Sequence, residues 1–177
     1  MLILLPPSEK KKAATSQKKF ELSSLVFAGE LTNARSQTTV SHDSSKTSPA
    51  IEIYDGVLFQ GLNWKTLSPV EQKRANTKVL IVSAIFGLVR PLDKIFSYKE
   101  KIDNKLWREA VAQVSAKHSN ELIIDCRSST YKGVWKINPQ NTVEVRGFKV
   151  NGAERNVITH MSKINDLQVR YESGGEK

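Results

Sequence analysis

The 177-residue sequence predicts an α/β (α+β) fold, a mixed β-sheet flanked by helices, from three observations. Short, largely apolar runs at 2–5, 78–84 and 121–125 are too short for helices and too apolar for a half-exposed sheet. They read as strands covered on both faces. Segments with apolar residues at helical spacing separate them. Alternating segments on either side of Asn151-Gly152 then predict a late antiparallel hairpin.

The first strand, Leu2–Leu5, is ended by Pro6-Pro7, which cannot donate to a ladder, and it delivers Ser8, Glu9 and Lys10 at its carboxyl end. Near 36–49 the composition turns to Ser, Thr, Asp and Lys, too polar to offset the entropy of ordering, and a flexible loop is expected. Ser48-Pro49 offers an N-cap and a first-turn proline. The spacing of Ile51, Tyr54, Val57, Leu58 and Leu62 then predicts one helix.

Ser68-Pro69-Val70-Glu71 matches a capping box and starts a short helix to about Asn76. The strand at 78–84 follows. Phe86-Gly87-Leu88 between apolar flanks has the look of a helix-hairpin-helix hairpin, where glycine lets backbone N–H groups reach a phosphate. Asp103 precedes an amphipathic helix carrying Leu106, Trp107, Ala110, Val111 and Val114. After the strand at 121–125 comes a hydroxyl-rich turn, Cys126-Arg127-Ser128-Ser129-Thr130, and a helix through Tyr131 and Trp135. Strands at 143–150 and 155–159 form the hairpin.

Lys plus Arg number 27 against 18 Asp plus Glu, a formal charge of +9 that favours polyanions or anionic metabolites as partners. A single cysteine excludes an internal disulfide scaffold, and no apolar run approaches the ~20 residues of a membrane helix. The apolar start is followed by prolines and then lysines, the reverse of a signal peptide, so a cytoplasmic protein without a membrane partner is expected. No Walker sequence or G-x-G-x-x-G is present, which disfavours a nucleotide-hydrolysing machine. His42, His118 and His160 have no metal-ligand spacing among themselves or with Cys126. Neither a metal nor a cofactor is expected.

In open α/β sheets, ligands bind outside the carboxyl ends of the strands. Those ends here offer Ser8 and Lys10, then Arg90, then Arg127, Ser128, Ser129 and Lys132, and finally His160 and Lys163. Together they would make a cleft for phosphates, with Arg and Lys supplying charge and hydroxyls supplying donors. The competing interpretation is a set of solvated cations scattered by the fold, with Ser128 or Ser129 merely capping a helix. His160 is the histidine to test as a proton donor or phosphate contact. Cys126 lies beside Arg127, which would lower its pKa, but it directly follows an apolar strand, and burial is expected to win.

Five motifs resemble, in order, those of the YaaA peroxide-stress protein family. They are Leu4-Leu5-Pro6-Pro7-Ser8-Glu9-Lys10, Tyr54-Asp55-Gly56-Val57-Leu58-Phe59, Val82-Ser83-Ala84-Ile85-Phe86-Gly87-Leu88-Val89-Arg90-Pro91-Leu92-Asp93, Ile124-Asp125-Cys126-Arg127-Ser128-Ser129-Thr130-Tyr131 and Ile158-Thr159-His160-Met161-Ser162-Lys163. The resemblance implies a cytoplasmic α/β protein of the hydrogen peroxide response, associated with limiting intracellular iron. It also implies DNA binding through a basic cleft and a helix-hairpin-helix-like element, with no established catalytic activity. Members carry helices where this chain has its Ser/Thr-rich stretch, and they continue well beyond the last motif, so a shortened single-domain member is expected. Members tend to show an Arg-Gly pair shortly after the motif lysine, where this chain has Asn165, Asp166 and Leu167.

Two functions follow as expectations. The first is a non-enzymatic protein that binds duplex DNA largely without regard to sequence. The second is an enzyme acting on a small phosphorylated or carboxylated metabolite, with Arg127 and Lys10 clamping the anion, Ser128 and Ser129 donating, and His160 moving a proton.

Overall fold

The computed structural model describes residues 1–38, 46–150 and 153–161, with 146–150 and 153–161 described by their backbone alone. Its elements are β1 (Leu2–Leu5), α1 (Ala28–Ser36), β2 (Ser48–Pro49), α2 (Ala50–Ile53), α3 (Val57–Leu62), α4 (Pro69–Lys78), β3 (Val79–Ser83), β4 (Gly87–Val89), β5 (Lys94–Ile95), α5 (Asn104–Lys117), β6 (Ile123–Asp125), α6 (Ser129–Lys132), β7 (Thr142–Val150) and β8 (Ala153–Met161). The main sheet has six strands in the order β4-β3-β1-β6-β7-β8, and β2 and β5 pair separately. The four inner strands are parallel to their neighbours, while β4 and β8 run antiparallel to β3 and β7, so the mixed α/β sheet expected from the sequence is present.

Alternation along β1 and β3 divides the interior into two layers. Leu2, Leu4, Leu80 and Val82 face Trp107, Val111 and Leu31, while Leu5 and Ile81 face Ile53, Tyr54, Phe86, Phe96 and Tyr98. All five residues of β3 are buried, as a strand covered on both faces requires. Each such aliphatic side chain contributes ~1.5–3 kcal/mol relative to exposure, so this strand anchors the sheet.

The helix starts match the expected chemistry. Ser68 accepts from the Glu71 N–H while the Glu71 carboxylate accepts from the Ser68 N–H, which sets the start of α4, and Asp103 caps α5 by accepting from Lys105 and Leu106. The single helix expected after Ser48 is instead two, α2 and α3, parted at Tyr54-Asp55-Gly56. An extended strap after β1 causes the break. Lys12 donates to the Ile53 carbonyl at 2.8 Å and Asp55 to the Lys10 carbonyl at 3.0 Å, taking backbone groups that a continuous helix would use. The helix expected through Trp135 is only the four residues of α6.

Phe86-Gly87-Leu88 belongs to a β-hairpin rather than to a hairpin between helices. Gly87 pairs with Ser83 and Leu88 with Val82, and the segment is buried. Gly87 has φ +70°, and a Cβ there would lie 2.4 Å from the Trp107 ring, so glycine is required twice over. Arg35 of α1, fully buried, donates from Nε to the Phe86 carbonyl and from Nη2 to the Leu88 carbonyl at 2.9 Å, clamping both sides of that glycine. Burial pulls its pKa down to about 10.

Of the loop expected near 36–49, residues 39–45 lie outside the described residues, as do Asn151-Gly152, Lys163, Asn165, Asp166 and Leu167. The margins of that loop are structured. Ser36 ends α1, Thr47 exchanges backbone hydrogen bonds with Ser16, and Ser48–Pro49 forms β2.

Candidate functional site

From β1 the chain leaves toward β3 on one side, whereas from β6 it leaves toward β7 on the other. The carboxyl ends of β1 and β6 therefore flank a topological switch point, where open α/β sheets bind ligands. A cavity of about 480 Å³ opens there, lined by Pro6, Cys126, Arg127, Ser128, Ser129, Lys132 and Val145.

The turn after β6 is built on its own backbone. Cys126 donates to the Leu4 carbonyl at 2.9 Å, carrying the ladder one residue past the strand. Arg127 then folds back onto Asp125, with Nε to Oδ1 at 2.8 Å and Nη2 to Oδ2 at 3.0 Å. Its remaining bonds go to the Tyr131 and Trp135 carbonyls at 3.2 and 3.0 Å. Both partners of this ion pair have fully buried side chains, so the Arg127 guanidinium holds the turn and α6 in place rather than facing the cavity as a clamp. Ser128 and Ser129, by contrast, are exposed, and the Ser128 hydroxyl makes no capping bond.

The other expected site residues divide. Lys132 reaches the cavity but shares its ammonium with Glu144 at 2.8 Å. Ser8 is buried just past β1 against Gly56, where a Cβ would come within 2.6 Å of the Ser8 hydroxyl. Lys10 and Lys12 both sit 2.8 Å from Asp55, one on each carboxylate oxygen. Lys10 and then Lys12 hold the Asp55 pKa down at about 2. In the ladder His160 pairs with Glu144, which pairs with Asp125, so its backbone stands level with the carboxyl end of β6.

Arg90 does not join them. Because β4 runs antiparallel to β3, its end lies at the opposite edge of the sheet, and Arg90 Nη1 donates to the Asn76 carbonyl at 2.7 Å, next to the start of β3. Cys126 is partly buried, and burial followed by the Asp125 charge pushes its thiol up to about 11. That is the direction expected when burial outweighs the neighbouring cation.

Sequence reasoning missed a second polar cluster, at the carboxyl end of β3. Tyr98 Oη lies 2.8 Å from Ser83 Oγ and 2.9 Å from Tyr54 Oη, all three buried, and Lys11 Nζ stands 4.3 Å over the Tyr98 ring. Burial lowers the Lys11 pKa and raises that of Tyr98 to about 12. Lys11 reads in sequence as one of three solvated lysines. Its position between Lys10 and Lys12 in an extended segment is the signal that it faces the other way.

Residues 21–165 match the family model described as peroxide stress protein YaaA. A UPF0246 protein of Streptomyces coelicolor is 30% identical over 206 aligned positions, covering 92% of this chain and 78% of that protein. A UPF0246 protein of Corynebacterium efficiens is 32% identical, covering 92% of this chain and 80% of its own length. A Francisella tularensis UPF0246 protein is 27% identical over 150 positions, 73% of this chain and 58% of that protein. Since the first alignment is longer than the 177-residue chain, the Streptomyces relative carries residues that this chain lacks.

Proposed function

The chain belongs to the peroxide stress protein YaaA family, and on that footing we propose that it serves the hydrogen peroxide response by holding the phosphate backbone of duplex DNA at the crevice between β1 and β6. Binding is largely independent of sequence, takes place in the cytoplasm and accompanies the limiting of intracellular iron. The observation that carries this reading is the set of donors at the switch point, with the exposed Ser128 and Ser129 hydroxyls beside Lys132 and with Lys10 close to the end of β1. Both lysines are paired, Lys10 with the largely buried Asp55 and Lys132 with Glu144, but the Lys10 side chain itself is largely exposed and open to solvent. A phosphate arriving from solvent can share the Lys10 ammonium while Asp55 keeps Lys12. The +9 charge supplies long-range attraction.

One observation favours a second reading. The cavity of about 480 Å³ lies in the size range of small-molecule sites, which contact with a duplex backbone does not require. An enzyme acting on a phosphorylated or carboxylated metabolite would use the same hydroxyls and lysines, with His160 moving the proton.

Titration of a labelled duplex at several salt concentrations separates the two. The DNA reading expects binding that falls with a log–log slope of roughly −0.9 per phosphate contact, and that the Ser129→Ala/Lys132→Ala double variant weakens. No binding to duplex, junction or single-stranded DNA at low salt, with thermal stabilisation by pyrophosphate, would replace it with the second.

A further inference from the structure

β7 and β8 do not stop where the sheet stops. β6 ends at Asp125, which pairs with Glu144, whereas β7 runs on in the same direction to Val150 and β8 returns beside it. From Val145↔Ile158 to Val150↔Ala153 the ladder is only two strands wide, because among the described residues β7 has no partner there except β8. A bulge between Glu144 and Val145 marks the point where this ribbon leaves the sheet. At about 3.4 Å per residue the ribbon extends roughly 20 Å past the carboxyl end of β6. That is the end of the sheet where the crevice opens, and Val145 at the root of the ribbon lines the crevice.

The register sorts the ribbon into two unlike faces. Alternation places Arg146, Phe148 and Val150 of β7 on one face, and pairing sets Val157, Arg155 and Ala153 of β8 opposite them on that face. Two of those positions are cationic and none is acidic. Arg146 and Arg155 stand on a diagonal of the ladder, where backbones are about 7–8 Å apart and like charges repel. On the other face Lys149 falls directly opposite Glu154, and their charges cancel.

A two-stranded ribbon by itself is marginal in water, and this one gains little from the rest of the fold, since among the described residues no helix lies along it. A surface that covers the Arg146 face has to supply negative charge. A second copy of the chain does not, because a two-fold contact through that face brings like charges together. A duplex does. Its major groove, about 12 Å wide and 8.5 Å deep, admits a two-stranded ribbon, and the groove is bordered by phosphates on both strands.

We propose that the β7–β8 ribbon is a second DNA contact, lying in the major groove by the face that carries Arg146 and Arg155. The inference rests on the reading of this chain as a duplex binder and adds to it an element outside the crevice. The crevice holds one strand's backbone, and the ribbon occupies the groove beside that strand. Because the two arginines neutralise phosphates at the groove's borders, the contact adds affinity without fixing a base sequence.

Titration of a labelled duplex at several salt concentrations, with the full chain and paired variants, tests it. Arg146→Ala/Arg155→Ala weakens binding about ten-fold or more and reduces the magnitude of the log–log salt slope by about 1.8, the share of two phosphate contacts. Arg146→Lys/Arg155→Lys keeps the charge and recovers the slope. Lys149→Ala/Glu154→Ala, on the opposite face, changes neither quantity. Lys73→Ala/Arg74→Ala takes the same two charges from the exposed side of α4 and leaves the slope as it was. With duplex saturated, guanine N7 atoms in the major groove are protected from dimethyl sulfate by the wild type and not by Arg146→Ala/Arg155→Ala. A wild-type slope in Arg146→Ala/Arg155→Ala, or an equal loss in the α4 variant, overturns the ribbon contact. If Ser129→Ala/Lys132→Ala still weakens the duplex in that case, the crevice reading stands without it. A dimer that Arg146→Ala/Arg155→Ala dissociates while duplex affinity is unchanged also overturns it and assigns the face to a second copy. No duplex binding by the wild type at low salt overturns both readings together.

Discussion

Arg127 and Asp125 face each other with fully buried side chains, in the two-pronged geometry that a guanidinium and a carboxylate share. Removing one partner strands the other in a dry site, which costs about 3–5 kcal/mol. Arg127→Ala is therefore expected to lower the melting temperature by roughly 10 °C. Arg127→Lys does not restore it, because an ammonium cannot reproduce the fork. Thermal unfolding with parallel phosphate titration checks this, and unchanged stability with weaker anion binding would put the guanidinium in the cavity after all. In sequence, Arg127 is one more cation at a strand end. Burial separates it from Ser128 and Ser129, and burial is set by how α6 folds back. Cys126 was more legible, because an apolar strand precedes it directly. With its thiol at about 11, alkylation by iodoacetamide at pH 7.5 should be roughly ten-fold or more slower than for a free cysteine, whose pKa is about 8.5. An ordinary rate would mean an accessible thiolate.

Elements whose signal lies within a few adjacent residues were readable from sequence. The apolar runs gave β1, β3 and β6, and Ser68-Pro69-Val70-Glu71 gave the start of α4. Elements defined by distant partners were not readable. α1 buries only Leu31, Ala34 and Arg35, too few apolar residues to show a helical period. β4 exists because Gly87 can pass over Trp107 and because Arg35 holds the carbonyls of Phe86 and Leu88. Gly87→Ala brings a methyl group into the indole at 2.4 Å and forces a left-handed alanine, so a loss of about 2–4 kcal/mol in urea unfolding is expected. A loss under about 0.5 kcal/mol would mean that the hairpin relaxes freely.

Across the whole molecule, the cations nearest the crevice do not stand alone, because Lys10 shares Asp55 with Lys12 and Lys132 shares Glu144. The same pairing makes stability sensitive to acid. Asp55 is held at about 2 by Lys10 and Lys12, and Glu121 at about 2 by the Met1 ammonium, 2.9 Å away, and by His118. Both carboxyls have lower pKa values folded than unfolded. Their contribution is complete above about pH 5 and is lost as pH falls toward 2. Urea midpoints measured between pH 7 and pH 2.5 should fall over that window, less steeply in Asp55→Asn and less steeply at high salt. A flat profile would show that these pairs persist in the unfolded chain.

The strap itself carries a constraint on length. Its residues alternate, with Lys10 and Lys12 turned to the Asp55 carboxylate and Lys11 between them turned to the ring of Tyr98. Bridging of Lys11 to Tyr54 fixes which residue takes which direction. Changing one of these side chains alters a single contact. Inserting or deleting one residue between Pro7 and Lys12 would exchange the two directions at once, sending charges intended for a carboxylate onto aromatic rings and leaving Asp55 unattended. This stretch of chain should thus accept many spellings in evolution but only one count of residues.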